Sequence, residues 1–182
     1  MGAERLKTLL VVLLAAVAAG CQGGDQSGDD TETAQAGGRQ FTVVRINDGD
    51  TLTVSGAGKV RLLQVDAPEL TTDCHGGPAL EALRKLTPVG ARVTLAADPT
   101  LDDRDRYGRP LRYVFAGGTN VNVALVRRGA ASPYFFRNER GRYADELLDA
   151  VAEARNRRAG YWGACPGAEL NPGLGSITGP RR

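Results

Sequence analysis

Phe41-Thr-Val-Val-Arg-Ile-Asn-Asp-Gly-Asp-Thr-Leu-Thr-Val54, then Ser-Gly-Ala-Gly58 and Lys59-Val-Arg-Leu-Leu-Gln-Val65, is the stretch that decides the fold. Its β-branched residues alternate with polar ones over 41–46, as a half-buried strand requires. Asn47-Asp-Gly49 is a turn signal, and 51–54 reads as a second strand. Gly56-Ala-Gly58 supplies a second tight turn before a third strand over 59–65. Three short strands joined by tight turns make a meander.

Working outward, Pro78 suits the first turn of a helix running to about Leu86. Residues 91–95 read as a fourth strand, and 111–115 as a fifth that stops at Gly117-Gly118. Asn120 suits the cap of a short helix through Val126 that ends at Gly129. From about Arg142 to Ala159 the spacing is helical, with Leu147, Leu148, Val151 and Ala154 on one face, and Tyr161-Trp162 packs back as an anchor. The order predicts an α+β domain: a five-stranded OB-fold barrel with about three helices, one of them inserted between the third and fourth strands. Periodicity alone leaves a sandwich open.

The 182 residues suit one domain with flanking segments, and a formal net charge of +2 says little about partners. Arg5 and Lys7 precede an apolar run over residues 9–19, closed by Ala18-Ala19-Gly20 and Cys21. A short basic region, a short apolar run and a small-residue cleavage site read as an export signal over 1–20. With Cys21 after the cut, the segment resembles a bacterial lipoprotein signal. Cys21 would then carry lipid and hold the chain on the outer face of the cell membrane; the plainer alternative is secretion with Cys21 unmodified. Residues 21–40 read as a lipidated cysteine and a flexible acidic tether. The folded domain is expected over 41–165, and 166–182, rich in Gly and Pro, as a disordered tail. If Cys21 carries lipid, Cys74 and Cys165 remain as an even pair in an oxidising compartment, which predicts a disulfide; two free thiols are the alternative.

The chemistry starts with carboxylates. Asp48 and Asp50 flank a glycine turn, and Asp66 and Glu69 follow the third strand, at the same end of the meander. Carboxylates gathered there repel one another unless a cation joins them, and hard oxygen donors favour Ca²⁺ or Mg²⁺. The plainer reading of Asp-Gly-Asp is turn chemistry alone. Arg61 lies among apolar neighbours and must find an anion or reach solvent. Arg109 follows Asp105-Arg-Tyr-Gly108, a loop whose cations suit phosphate or, more plainly, solvent. Arginine forks bind phosphate oxygens bidentately.

Four segments carry a specific resemblance: Ile46-Asn-Asp-Gly-Asp-Thr51, Arg61-Leu-Leu-Gln-Val-Asp-Ala-Pro-Glu69, Asp105-Arg-Tyr-Gly-Arg109 and Val121-Asn-Val-Ala-Leu-Val-Arg127. In this order and at these spacings they resemble the staphylococcal nuclease (thermonuclease) family. Cys74-His-Gly-Gly and Tyr161-Trp-Gly-Ala-Cys165 resemble secreted bacterial members with a paired cysteine.

The resemblance implies a Ca²⁺-dependent nuclease acting on DNA and RNA and leaving 3′-phosphates. A barrel groove with aromatic walls predicts a preference for single strands, and the chain is expected to act as a monomer. It implies Asp50, Asp66 and the backbone carbonyl of Ala67 as metal ligands, Ala67 standing where the family has Thr, with Asp48 nearby. It implies Glu69 on the attacking water and Arg61 and Arg109 on the phosphate. Arg106 and Tyr107 match a pair that contacts the nucleotide and its terminal phosphate, and Tyr134 and Phe136 match a base pocket. Arg45 and Lys59 are candidates for steering phosphate. His75 is expected to be a polar loop residue beside the disulfide, and Trp162 and Tyr113 to be core. The rivals are an OB-fold surface lipoprotein that binds nucleic acid without cutting it, and a scaffold whose charges serve solubility.

Overall fold

β1 (Gln40–Ile46), β2 (Thr51–Val54) and β3 (Gly58–Leu62) form the expected meander, each antiparallel to the next. The computed structural model describes residues 39–177, so the expected export signal, Cys21 and the expected tether up to residue 38 lie outside the described residues, as do 178–182. A register break between Val43 and Arg45 lets β1 change partners midway. Residues 40–42 pair with β5 (Arg92–Ala96), and from Val43 onward the strand pairs with β2. A bulge of this kind bends a strand and raises its twist, which is what turning a barrel corner requires. β5 continues antiparallel to β6 (Leu111–Ala116), and β6 runs parallel to β3 through Arg61↔Leu111 and Leu62↔Arg112. That last pairing closes five strands into a mixed barrel and decides the question between barrel and sandwich. The short β7 (Thr119–Asn120) extends β6.

The third strand was expected to reach Val65, and here the structure differs. It stops at Leu62 because Gln64 adopts φ 58°, a left-handed turn that breaks the ladder. Val65–Asp66 (β4) then leaves the barrel and pairs antiparallel with Ser132–Pro133 (β8). Two buried amides fix this turn. Gln64 accepts from the Tyr113 hydroxyl and the Gly141 N–H, both at 3.0 Å, and donates to the Glu139 carbonyl at 2.8 Å. Asn122 accepts from the Val114 N–H at 3.0 Å and donates to the Leu63 carbonyl at 2.8 Å. Buried polar groups persist when their partners are supplied in this way.

Three helices cover the barrel. α1 (Gly76–Leu86) buries Ala79, Leu80 and Leu83, and lies between the third and fourth barrel strands as expected. α2 (Val121–Arg127) is capped by the Asn120 side chain, which accepts from the Val123 N–H. α3 (Ala144–Asn156) buries Leu147, Ala150, Val151 and Ala154. A fourth, single-turn helix, α4 (Tyr161–Ala164), buries Tyr161, and Trp162 packs against the same core. Tyr113 is fully buried. Among the described residues no helix is long and apolar enough to cross a membrane.

Cys74 and Cys165 form the expected disulfide, closing a loop of 91 residues. The expectation of disorder from Pro166 onward is corrected. β9 (Glu169–Asn171) and β10 (Gly175–Ile177) form an antiparallel hairpin that packs beside β4 and β8. Its strands, three residues each, are too short to show a period, so the sequence pattern hides it.

Candidate active site

The register of the meander builds the centre. Thr51 opposes Arg61 across β2 and β3, so the residue before β2, Asp50, falls beside the residue that ends β3. The Leu62 N–H donates to the Asp50 carbonyl at 2.8 Å and locks that juxtaposition. Asp50 follows Gly49, where a side chain would meet the Ala67 Cβ at 2.6 Å, so glycine permits the turn to pack against the Asp66–Ala67 segment. The expected neighbours Asp50, Arg61, Asp66 and Ala67 thus come together from three separate segments.

Arg61 Nη2 contacts Asp50 Oδ2 at 3.0 Å and Asp66 Oδ1 at 2.8 Å. Its Nη1 donates to the carbonyls of Val65 at 2.7 Å and Leu62 at 3.0 Å. Asp50 is buried, and it accepts from the Ala67 N–H at 2.8 Å and from the Thr51 hydroxyl at 3.0 Å. Asp48 Oδ1 in turn accepts the Asp50 N–H at 3.1 Å. The Asp50 carboxyl is pushed up to about 7, chiefly by burial and with help from Asp48 and Asp66, against the pull of Arg61 and of the Ala67 N–H. Burial also works against the charge on Arg61, yet Asp50 and Asp66 outweigh it and hold the guanidinium above its usual range.

Arg109 stands at one remove. Its Nη1 reaches the Thr51 hydroxyl at 3.5 Å, which links it to Asp50 through one residue. Asp105, four residues earlier in the same loop, accepts from Arg109 Nε at 2.6 Å and from the Arg109 N–H at 3.0 Å. The Arg109 guanidinium lies 5.4 Å from the Tyr107 ring centre, and that of Arg106 lies 4.8 Å from it. Such placements add cation–π attraction.

Arg61, Arg106, Tyr107, Arg109, Tyr134 and Phe136 line a cleft of about 620 Å³, while Asp50, Asp66 and Glu69 are not among its lining residues. Tyr134 and Phe136 flank buried Phe135 and both line the cleft, their ring centres 6.5 Å apart. Arg137, at φ 55°, sets its guanidinium 4.8 Å from the Phe136 ring and lines the same cleft. Arg45 and Lys59 both oppose Thr53 on an exposed row of strands and do not line the cleft. Glu69 is exposed; among the described residues its side chain makes no bond to Asp50, Asp66 or either arginine. Its backbone is fixed instead, with the Glu69 N–H donating to Asp73 at 2.9 Å. His75 is half-buried away from these groups, and burial lowers its imidazole.

The residues that sequence reasoning passed over are those that hold the expected ones. Thr51 and Asp105 stood inside quoted segments, where only the register and the four-residue spacing signal their part. Arg137 carried no signal, because its place depends on an uncommon backbone conformation.

Among the described residues no group of three or more His, Cys, Asp or Glu is gathered for a metal. What the site offers is a convergent carboxylate pair with Asp48 close behind it. Its charge is unbalanced, with three carboxylates (Asp48, Asp50 and Asp66) gathered around the one guanidinium of Arg61. A hard cation would relieve that imbalance, and the all-oxygen donor set suits Ca²⁺ or Mg²⁺.

A family model described as staphylococcal nuclease homologue matches residues 59–164, more than half of the chain. The chain belongs to the staphylococcal nuclease family. It is 33% identical over 132 residues to a thermonuclease of Staphylococcus intermedius, covering 69% of this chain and 77% of that protein. It is 34% identical over 128 residues to an uncharacterized protein of Bacillus anthracis, covering 66% of this chain and 59% of that protein. Over 129 residues it is 33% identical to endonuclease YncB of Bacillus subtilis (strain 168), covering 66% of this chain and 60% of that protein. The chain thus spans about three-fifths of the length of the last two. The staphylococcal nuclease match contains Arg61, Asp66, Glu69 and Arg109; Asp48 and Asp50 precede it, and the C-terminal hairpin follows it.

Proposed function

We propose that this protein is a Ca²⁺-dependent nuclease that hydrolyses DNA and RNA, prefers single strands and leaves 3′-phosphates. The observation that carries the reading is the convergence of Asp50 and Asp66 on Arg61, which itself lines a cleft with Arg109 and Tyr107. Export, a lipid on Cys21 that tethers the chain to the membrane, and action as a monomer complete the proposal.

Asp50, Asp66 and the Ala67 carbonyl would hold the ion with Asp48 in support, and bound there it would add positive charge beside the scissile phosphate. Arg61 and Arg109 bind the phosphate oxygens and hold the negative charge that builds as water adds to phosphorus. Glu69 orients that water and takes its proton. The bond from phosphorus to the 5′ oxygen breaks, leaving the phosphate on the 3′ side. Arg106 and Tyr107 hold the nucleotide, and Tyr134 and Phe136 stack a base, which only an unpaired strand can offer.

The test uses the full-length protein purified in detergent and single-stranded DNA, with Ca²⁺ and with chelator, beside Glu69→Ala. The expected result is cutting in Ca²⁺, none in chelator, and a loss of about 10²–10⁴-fold in the variant. Equal cutting in all three arms removes the mechanism. Binding without cutting makes the domain a nucleic-acid-binding module. Cys21→Ser should move the protein from the membrane to the soluble fraction; an unchanged distribution removes the lipid.

A further inference from the structure

The hairpin of β9 and β10 makes its most specific contact with Asp66. One oxygen of that carboxylate, Oδ1, is held by Arg61 at 2.8 Å. The other, Oδ2, accepts the Ser176 backbone N–H at 2.8 Å, across 110 residues of sequence. The Ser176 hydroxyl donates to the Asp66 carbonyl and lies 3.2 Å from the hydroxyl of Ser132, the residue paired with Asp66 between β4 and β8. Ser176 is 5% exposed. Within the hairpin it pairs with Leu170, and its N–H points outward to Asp66. Gly175, at φ +79°, makes the approach possible, because a side chain there would stand 2.6 Å from Asp66 Oδ2. The same hairpin reaches the aromatic wall, where the Phe135 N–H donates to the Pro172 carbonyl at 2.7 Å.

We propose that the C-terminal hairpin is a clamp in which Ser176 is a positioning residue for Asp66, fixing the carboxylate in the orientation the metal site needs. The proposal rests on the Ca²⁺ reading above. A carboxylate held at both oxygens has little rotamer freedom left, so its ligating geometry is set before the ion arrives. Groups that orient metal ligands in this way are worth about 10–100-fold in metal affinity when removed.

The test is a calorimetric titration of the detergent-purified full-length protein with Ca²⁺ alone, without nucleic acid, paired with thermal melting in chelator. Ser176→Pro deletes the donor N–H while leaving the hairpin's own ladder bonds in place. A stop after Gly167 removes the hairpin but keeps the Cys74–Cys165 disulfide. Both should melt cooperatively, with Ca²⁺ affinity lowered about 10–100-fold. Ser176→Ala, which keeps the amide, should retain most of the affinity. Parent-like affinity in a folded Ser176→Pro overturns the clamp and leaves the Ca²⁺ reading standing. Loss of cooperative melting in Ser176→Pro also overturns it, since the hairpin would then hold the fold and not Asp66. A parent that binds no Ca²⁺ overturns the Ca²⁺ reading, and the clamp with it.

Discussion

Two arginines, both assigned to phosphate, are held in opposite ways. Arg61 sits on a barrel strand, nearly buried, and is bound by two carboxylates and two carbonyls from three segments. Arg109 sits on a loop, about a quarter exposed, and its ion-pair partner is Asp105 of the same loop. The first depends on tertiary structure and is rigid. The second depends on local structure, touching the centre only through a long contact to Thr51. One half of the site is therefore part of the core, and the other is carried at its rim. Damage to the first should appear as lost stability, and damage to the second as lost function in a folded protein.

The largest expected effect comes from breaking the buried half. Arg61→Ala leaves Asp50 and Asp66 facing each other without the cation between them, at 10% and 31% side-chain exposure. Removing one partner of a buried ion pair costs about 3–5 kcal/mol, and the more open Asp66 places this case at the lower end. Urea unfolding near neutral pH should show a loss of about 3 kcal/mol, with cutting abolished. A variant as stable as the parent would mean that the cluster is solvated, and the contrast between the two halves would collapse.

The same division runs through what the sequence discloses. The meander is legible because alternation and glycine turns are local signals, and those signals put Asp50 and Asp66 at one end of the sheet. That Arg61 itself joins the two carboxylates was not legible. It depends on the Thr51↔Arg61 register and on the turn at Gln64, whose buried amide is satisfied by Tyr113, Glu139 and Gly141 from distant segments. The hairpin at 169–177 was hidden for a related reason, since it is ordered by Asp66 and Phe135 and not by any pattern of its own. The Arg109 loop was the reverse case: Asp105 and Arg109 are four residues apart, and the loop is folded by that local pair.

Asp105→Asn breaks that local pair, and the expected effect is smaller. Burial works against the Asp105 carboxylate, but hydrogen bonds from the Arg109 side chain and from the Arg109 and Tyr107 N–H groups outweigh it and hold it below the usual range. Its folded value is thus depressed relative to the unfolded chain. The stability it lends is fully present above the ordinary carboxylate value of about 4 and is lost as pH falls through the lower, folded one. With both partners partly exposed, the variant should lose at most about 1 kcal/mol at neutral pH, a difference that shrinks in acid. A displaced Arg109 should nonetheless cost about tenfold in kcat, because small misplacements of a charge-stabilising group weigh heavily on rate. Steady-state kinetics beside urea unfolding at neutral and acid pH would check both. A drop in stability as large as that of Arg61→Ala would show that the loop belongs to the core.

The smallest effect should come from the outermost wall. The Phe136 side chain packs beside Tyr134 and Arg137 in the cleft, and the residue is 51% exposed, so little of the fold rests on it. Stacking one base on an aromatic ring is worth about 1–3 kcal/mol, and a half-exposed ring belongs at the low end. Phe136→Ala should raise KM for single-stranded DNA about fivefold, with kcat and melting temperature unchanged, because uniform binding is lost and no group at the phosphate moves. Tyr134→Ala, at the better-covered ring, should raise KM further. A fall in kcat for Phe136→Ala would mean that the wall also places the phosphate against Arg61 and Arg109. Rim and core would then be one mechanical unit, joined through the Phe135 N–H and the hairpin that holds Asp66.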